Sequence, residues 1–378
     1  MFIIQEDLQT ADRFKLVTSA LDRLVVIDAQ ANSQCIDLPK LPAAEQDDKV
    51  GQIKPTEAVI NRITCMESSR DQQYIAVTTE SKQLVVFGAH FGVVKNLILA
   101  RAPSKVCFTP TNDVLVADRT GDVYLYKIAD ESNQPQLLLG HLSVILDMLV
   151  TTCGQYVITC DRDEKIRVSR YPNSYNIATF CLGHTEFVTS LALLTNPNVL
   201  LSASGDGTVR MWHYSEGKQI SIINTAGLVD GLTMEKFGSQ MDLEKVDVTA
   251  LPVTSMKVSE QNGLVTLAIS LYSIPKLYLY SIKTPSLEHS LKHTVDLYAN
   301  IVSYWLTSRL YVLSDKFEVY QVDADTLRAV DAKTTQNRLV EYKAAFVSND
   351  CDVTAWYKRK FDNVQEYMER KKLRLESK

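Results

Sequence analysis

Short apolar runs rich in β-branched and aromatic residues recur along this chain, broken every few positions by Gly, Pro, Asn, Asp or charged residues. That pattern predicts strands joined by tight turns. The stretches "GHLSVILDMLVTTCGQYVITCDRDEKIRVS" and "GHTEFVTSLALLTNPNVLLSASGDGTVRMW" align without a gap: His141 and His184, Asp163 and Asp206, Arg167 and Arg210, Ser169 and Trp212 are each 43 positions apart. Each copy reads as three strands, at 144–149, 156–160 and 166–169, then at 188–194, 199–203 and 208–212. A period near forty residues with several strands per unit is that of propeller blades.

Weaker copies extend the repeat. Third strands are predicted to end at Ile27 ("DRLVVI"), Phe87 ("KQLVVF"), Tyr126 ("GDVYLY"), Ser169, Trp212, Tyr280 ("PKLYLY") and Tyr320 ("KFEVY"), which makes seven. The expected fold class is all-β: a seven-bladed WD-repeat β-propeller over residues 1–350, whose closure leaves only short protected edges. Exposed insertions are expected near 38–54, rich in Pro, Gly and charge, and near 227–247. The first strand, over residues 2–5, completes the last blade or pairs elsewhere; the pattern leaves both open.

After the last blade strand the periodicity changes. "DCDVTAWYKRKFDNVQEYMERKKLRLESK" has neither Pro nor Gly and sets Trp356, Val364, Tyr367 and Met368 broadly on one helical face, so a helical tail is predicted over 351–378, with its helix from about 354 to 373. From Trp356 to Lys378 there are eight Lys or Arg against four Asp or Glu, while the whole chain carries a net charge of -5. The chain as a whole is thus no basic nucleic-acid coat, and positive charge is concentrated at this basic amphipathic end, with Lys371, Lys372 and Arg374 as candidate phosphate contacts.

The His and Asp of the two clear copies are expected to be structural. His184, Asp206, Ser202 or Ser204, and Trp212 can form a buried hydrogen-bonded network inside a blade, which satisfies turn groups otherwise costly to bury. The fourth copy ends in Ser169 and lacks the tryptophan. Seven cysteines at irregular spacings make no disulfide framework. No Gly-rich cofactor loop, nucleophile elbow or metal-ligand spacing occurs, and His90, His289 and His293 stand apart, so no catalytic, cofactor or metal residues are expected. No long apolar run opens the chain or spans a bilayer, which predicts an intracellular protein.

One turn departs from the blade style. Where the fifth blade reads "SGDGT", the fourth reads "DRDEK", two acids and two bases around Asp163, followed by Arg167 on the third strand. A mixed-sign cluster projecting from the rim suits recognition by complementary pairing. "DRDEKIRVS", followed by "FCLGHTEFV" over 180–188, closely resembles the WD-repeat, non-catalytic subunit of the eukaryotic tRNA (guanine-N(7)-)-methyltransferase, most strongly over 139–212.

That resemblance implies a heterodimer with a separate Rossmann-like catalytic subunit, which carries S-adenosylmethionine and methylates a variable-loop guanine of certain tRNAs. This chain would bind no cofactor itself; it would stabilise and position its partner. The family's basic contact residue maps onto Arg167, with Lys165, Glu164 and Asp163 as neighbours, and replacing Arg167 by glutamate is expected to leave the propeller folded while breaking the heterodimer. Residence in the nucleus, with some protein in the cytoplasm, goes with that role. The alternative is a general WD-repeat interaction scaffold, such as a substrate adaptor of a ubiquitin ligase, because a propeller fold does not choose among functions.

Overall fold

The computed structural model describes residues 1–6, 14–41, 61–131, 133–195, 198–261, 263–342, 345 and 353–359. Among the described residues, twenty-eight strands form seven antiparallel four-stranded sheets. These are the seven blades, spanning 2–37, 63–98, 103–140, 145–181, 188–224, 253–296 and 303–330. All seven third strands end within a few residues of the positions read from the repeat, for example Ile166–Arg170 and Thr208–His213.

Each blade is sandwiched between two others, so its second and third strands are buried on both faces. Tyr74–Thr79, Val114–Asp118 and Val199–Ser204 are almost wholly inaccessible, and this is why their sequences run apolar instead of alternating. Seven hydrophobic clusters result, one in each gap between blades. Only the outer strands, such as Lys218–Asn224, keep most of their side chains in water.

The ring closes without strand exchange. Phe2–Glu6 pairs with Phe14–Ala20 and is the inner strand of blade 1, so it does not complete the last blade. Blades 7 and 1 are held by side chains: Phe2 and Leu16 pack with Tyr311 and Phe317, and the Glu6 carboxylate accepts from Thr307 Oγ1 (2.5 Å), Ser308 Oγ (3.1 Å) and the Tyr311 hydroxyl (3.0 Å). A short helix at Lys333–Val340, α2, buries Leu339 in the same cluster and brings Arg338 Nε to 3.1 Å from the Ala31 carbonyl.

The insertion near 227–247 is not simply an exposed loop. It contains a thirteen-residue helix, α1 (Gly231–Leu243), capped by Asp230, whose side chain accepts from the Thr233 amide at 2.8 Å. Phe237 and Met241 are its buried residues. The apolar positions are too few for a strong helical period, so the sequence pattern concealed it. Of the insertion near 38–54, residues 42–54 lie outside the described residues, as do residues 360–378 of the predicted tail helix. Before that, Val353–Trp356 form a 3-10 turn and 357–359 are not helical.

Candidate functional site

Blade 5 shows what a complete network contributes. His184 Nδ1 lies 2.9 Å from Asp206 Oδ2, and its Nε2 lies 2.7 Å from Ser202 Oγ. The same hydroxyl accepts from Trp212 Nε1 at 2.8 Å, and Thr208 Oγ1 donates to Asp206 at 2.6 Å. Of the two candidate serines, Ser202 belongs to this network; Ser204 instead donates to the Glu186 carbonyl at 3.0 Å. Burial alone would raise the Asp206 carboxyl, but the hydrogen bond and charge of His184 outweigh it and bring its pKa to about 2. Such a carboxylate fastens a turn; it does not exchange protons near neutral pH.

Blade 4 uses the same parts differently. His141 Nδ1 meets Asp161 Oδ2 at 2.9 Å, not Asp163, and its Nε2 meets Thr159 Oγ1 at 2.7 Å. Asp161 stands where blade 5 has Ser204, and its other oxygen accepts from the Asp163 and Lys165 amides at 2.9 and 3.1 Å. The repeat register is therefore right for the chain and misleading for the network acid. Asp163 is thereby released to the rim, 3.8 Å from Arg162 Nε.

Ser169, in the place of Trp212, receives Arg167 Nε at 2.9 Å. Arg167 Nη1 donates to the Gly140 carbonyl at 3.0 Å, and Nη2 to the Ser174 carbonyl at 3.0 Å. The arginine thus ties the third strand of blade 4 to the end of blade 3 and to its own following turn. Burial lowers its pKa. All three acceptors are neutral, and among the described residues no carboxylate lies within ion-pair distance, unlike Arg210, which has Asp206 at 3.6 Å. These bonds use three of the five N–H donors of the guanidinium.

Segments adjoining Arg167 expose three large apolar side chains. Phe180 pairs with Arg167 across the strand register, Leu182 is 64% exposed and Leu142, two residues beyond Gly140, is 104% exposed. These three were not singled out from the sequence, because an outer-strand or loop leucine looks the same whether or not something covers it.

Glu164 and Lys165 form the upper end of the patch. Lys165 is exposed. Glu164 has φ +69°, the left-handed region, at the position where blade 5 has Gly207 at φ +72°. A glycine adopts it freely and a glutamate does not, so blade 4 carries strain to place an acid there.

That acid is engaged by a strap, residues 353–359. Lys358 Nζ lies 2.5 Å from Glu164 Oε1 and 3.9 Å from Asp163 Oδ1. Trp356 and Tyr357 pack edge-on against Phe187 at centroid distances of 5.2 and 4.9 Å, in one cluster with Phe237 and Met241 of α1. Arg359 Nη2 meets Glu244 Oε2 at 2.9 Å. Glu186, beneath the strap, is raised to about 7 by burial and by the charge of Glu164, with Lys358 acting against both. Lys371, Lys372 and Arg374 lie outside the described residues.

A second polar cluster lines the ring axis, beside a cavity of about 630 Å³ bordered by Glu67, Lys105, Lys257 and Trp305. Lys105 Nζ meets Asp147 Oδ1 at 2.9 Å, and the other Asp147 oxygen accepts from the Leu191 amide at 2.8 Å, so one carboxylate pins the inner strands of blades 3, 4 and 5. Lys257 Nζ sits 5.0 Å over the Trp305 ring. Cys65 is held as a thiol by burial. Among the described residues no group of His, Cys, Asp and Glu is placed to hold a metal, and no helix is long and apolar enough to cross a membrane.

The model of the tRNA methyltransferase TRM82 WD40 domain family matches residues 28–136 and 127–341. The chain belongs to this family. The TRM82-type chain is 37% identical over 320 residues to the tRNA (guanine-N(7)-)-methyltransferase non-catalytic subunit wuho of Drosophila mojavensis, covering 82% of this chain and 79% of that one. It is 33% identical to wuho of Drosophila melanogaster, over 82% and 73% of the two chains, and 32% identical to the non-catalytic subunit wdr4 of Xenopus laevis, over 84% and 81%. A solved chain from the mitotic checkpoint complex aligns with TM-score 0.62 at 11% identity, over 82% and 84% of the two chains, which speaks for the propeller fold alone. Both clear copies of the repeat, with the Arg167 rim, lie inside the second matched stretch.

Proposed function

We infer that this chain is the non-catalytic subunit of a tRNA (guanine-N(7)-)-methyltransferase and that it docks the catalytic subunit on the rim of blade 4. One observation carries the reading: in a TRM82-type propeller, Arg167 is half-buried with no carboxylate within ion-pair distance among the described residues, and Phe180, its partner across the strand, is exposed together with Leu142 and Leu182 on the adjoining segments. Burying a guanidinium without a counter-charge is unfavourable, and a carboxylate on the partner corrects it while the leucines and phenylalanine exclude water. Lys165, Glu164 and Asp163 supply the charged border that fixes orientation. The methyl-transfer chemistry and its S-adenosylmethionine belong to the partner; this chain holds and positions it for the variable-loop guanine of tRNA. The basic tail, through Lys371, Lys372 and Arg374, contacts tRNA phosphates, and the assembly resides in the nucleus.

The deciding experiment is co-expression with the catalytic subunit, followed by size-exclusion chromatography and a tRNA methylation assay. A one-to-one complex in which methylation depends on this chain is expected. Co-purification of ubiquitin-ligase subunits in its place would establish the scaffold alternative, and methylation by this chain alone would overturn its non-catalytic role.

A further inference from the structure

Residues 353–359 lie across the end of the ring where the docking turn of blade 4 projects. Their hold has two separable parts. Trp356, Tyr357 and Arg359 attach to Phe187 and to α1, through ring packing and the Glu244 pair. Lys358 alone reaches the docking turn, meeting Glu164 and Asp163 from 194 residues away in sequence. We propose that Lys358 is an internal stand-in for a basic side chain of the catalytic subunit, so that docking exchanges the Lys358–Glu164 pair for an intermolecular one. The proposal rests on Glu164 being a docking residue.

Three features of the site favour exchange. The acids of the turn, with Glu186 beneath them, need a cation whether or not a partner is present: Glu186 is pushed up to about 7 by burial, then by Glu164, and Lys358 opposes this. The pair is accessible, with the side chains of Lys358 and Glu164 50% and 32% exposed, and pairs of that kind break readily because water and salt replace most of their energy. The strap's remaining contacts do not depend on Lys358, so the lysine can release the turn while Trp356 and Tyr357 stay seated. A geometry that closes the docking acid with the chain's own lysine lowers the apparent affinity for the partner by the fraction of time the pair is closed.

The test titrates the catalytic subunit into the full-length wild-type chain and into the Lys358→Ala, Arg359→Ala, Glu164→Gln and Glu164→Gln/Lys358→Ala variants, at low and at physiological salt. Lys358→Ala is expected to bind about two- to fivefold tighter than wild type, the range of an exposed ion pair. The gain should shrink as salt is raised and vanish in the Glu164→Gln background. Arg359→Ala, which removes a neighbouring charge paired with Glu244 at the C-cap of α1, should leave affinity unchanged. An affinity for Lys358→Ala equal to or weaker than wild type would overturn the exchange, as would equal tightening by Arg359→Ala, which would reduce the effect to net charge. If Glu164→Gln binds as well as wild type, Glu164 is not a docking residue, and the failure lies in the docking surface itself.

Discussion

Replacing Arg167 by methionine separates the two tasks of this side chain, because methionine keeps the aliphatic stem and removes every donor. In the free propeller three hydrogen bonds are lost. The one to the Gly140 carbonyl is at the surface, where water substitutes for it; those to Ser169 Oγ and to the Ser174 carbonyl are partly buried. Two such bonds at about 1 kcal/mol each give a stability loss of about 2 kcal/mol, which for a chain of this size lowers the melting temperature by about 2–3 °C. In the proposed complex, where a carboxylate of the catalytic subunit meets Arg167, the same change also leaves that acid buried and unpaired, at about 2–5 kcal/mol, or about 30- to several-thousand-fold in affinity. Glutamate in place of methionine adds a carboxylate facing the Gly140 and Ser174 carbonyls, so it destabilises the free chain further, and loss of binding by that variant would mix misfolding with lost contact. The assay is therefore paired: thermal melting of the isolated chain and titration with the catalytic subunit, for the methionine and lysine variants side by side. Lysine should melt between wild type and methionine, since it offers one donor group where arginine offers a fork. An unchanged melting temperature for Arg167→Met would show that the blade does not depend on these bonds. An affinity equal to wild type in a folded Arg167→Met chain would show that Arg167 does not meet the catalytic subunit.

Further outcomes follow from the same geometry. Glu164→Gly relieves the left-handed backbone and should stabilise the free chain by about 0.5–1 kcal/mol in urea denaturation while weakening heterodimer formation; a variant that loses stability would mean that the turn is not strained. Ser202→Ala strands the Trp212 indole N–H and one nitrogen of His184 in a buried site and should cost about 2–3 kcal/mol, whereas a urea midpoint indistinguishable from wild type would remove the network from the stability of blade 5. Glu186, held near 7 by burial and by Glu164 against an ordinary value of 4.5, binds its proton more tightly folded than unfolded, so its penalty is full above pH 7 and is relieved as pH falls toward 4.5. Glu186→Gln should thus be more stable than wild type at pH 8 by about 1–2 kcal/mol after allowance for solvent screening, and the gap should close by pH 5; a gap independent of pH would mean that the carboxyl titrates normally.

Local chemistry determined most of the blades. A strand buried on both faces must be apolar and β-branched, and the turn before each third strand must bend sharply, so seven third strands and the residues of the blade 5 network were legible from spacing alone. The departure of "DRDEK" from the blade style was visible in the sequence as well, because charged residues stand there in place of the glycines of "SGDGT". What spacing could not settle were contacts between residues far apart in the chain. His141 selects Asp161 over Asp163 because hydrogen-bond geometry, not repeat register, decides which carboxylate faces the ring. Blade 1 keeps its own inner strand because Glu6 and the Phe2–Phe317 contact close the ring through side chains. Helix α1 exists for Phe237 and Met241, whose partners Phe187 and Tyr357 lie far from it in sequence. Lys358 reaches Glu164 for the same reason: a pattern of residues records what each stretch buries, and only the folded ring determines which distant surface buries it.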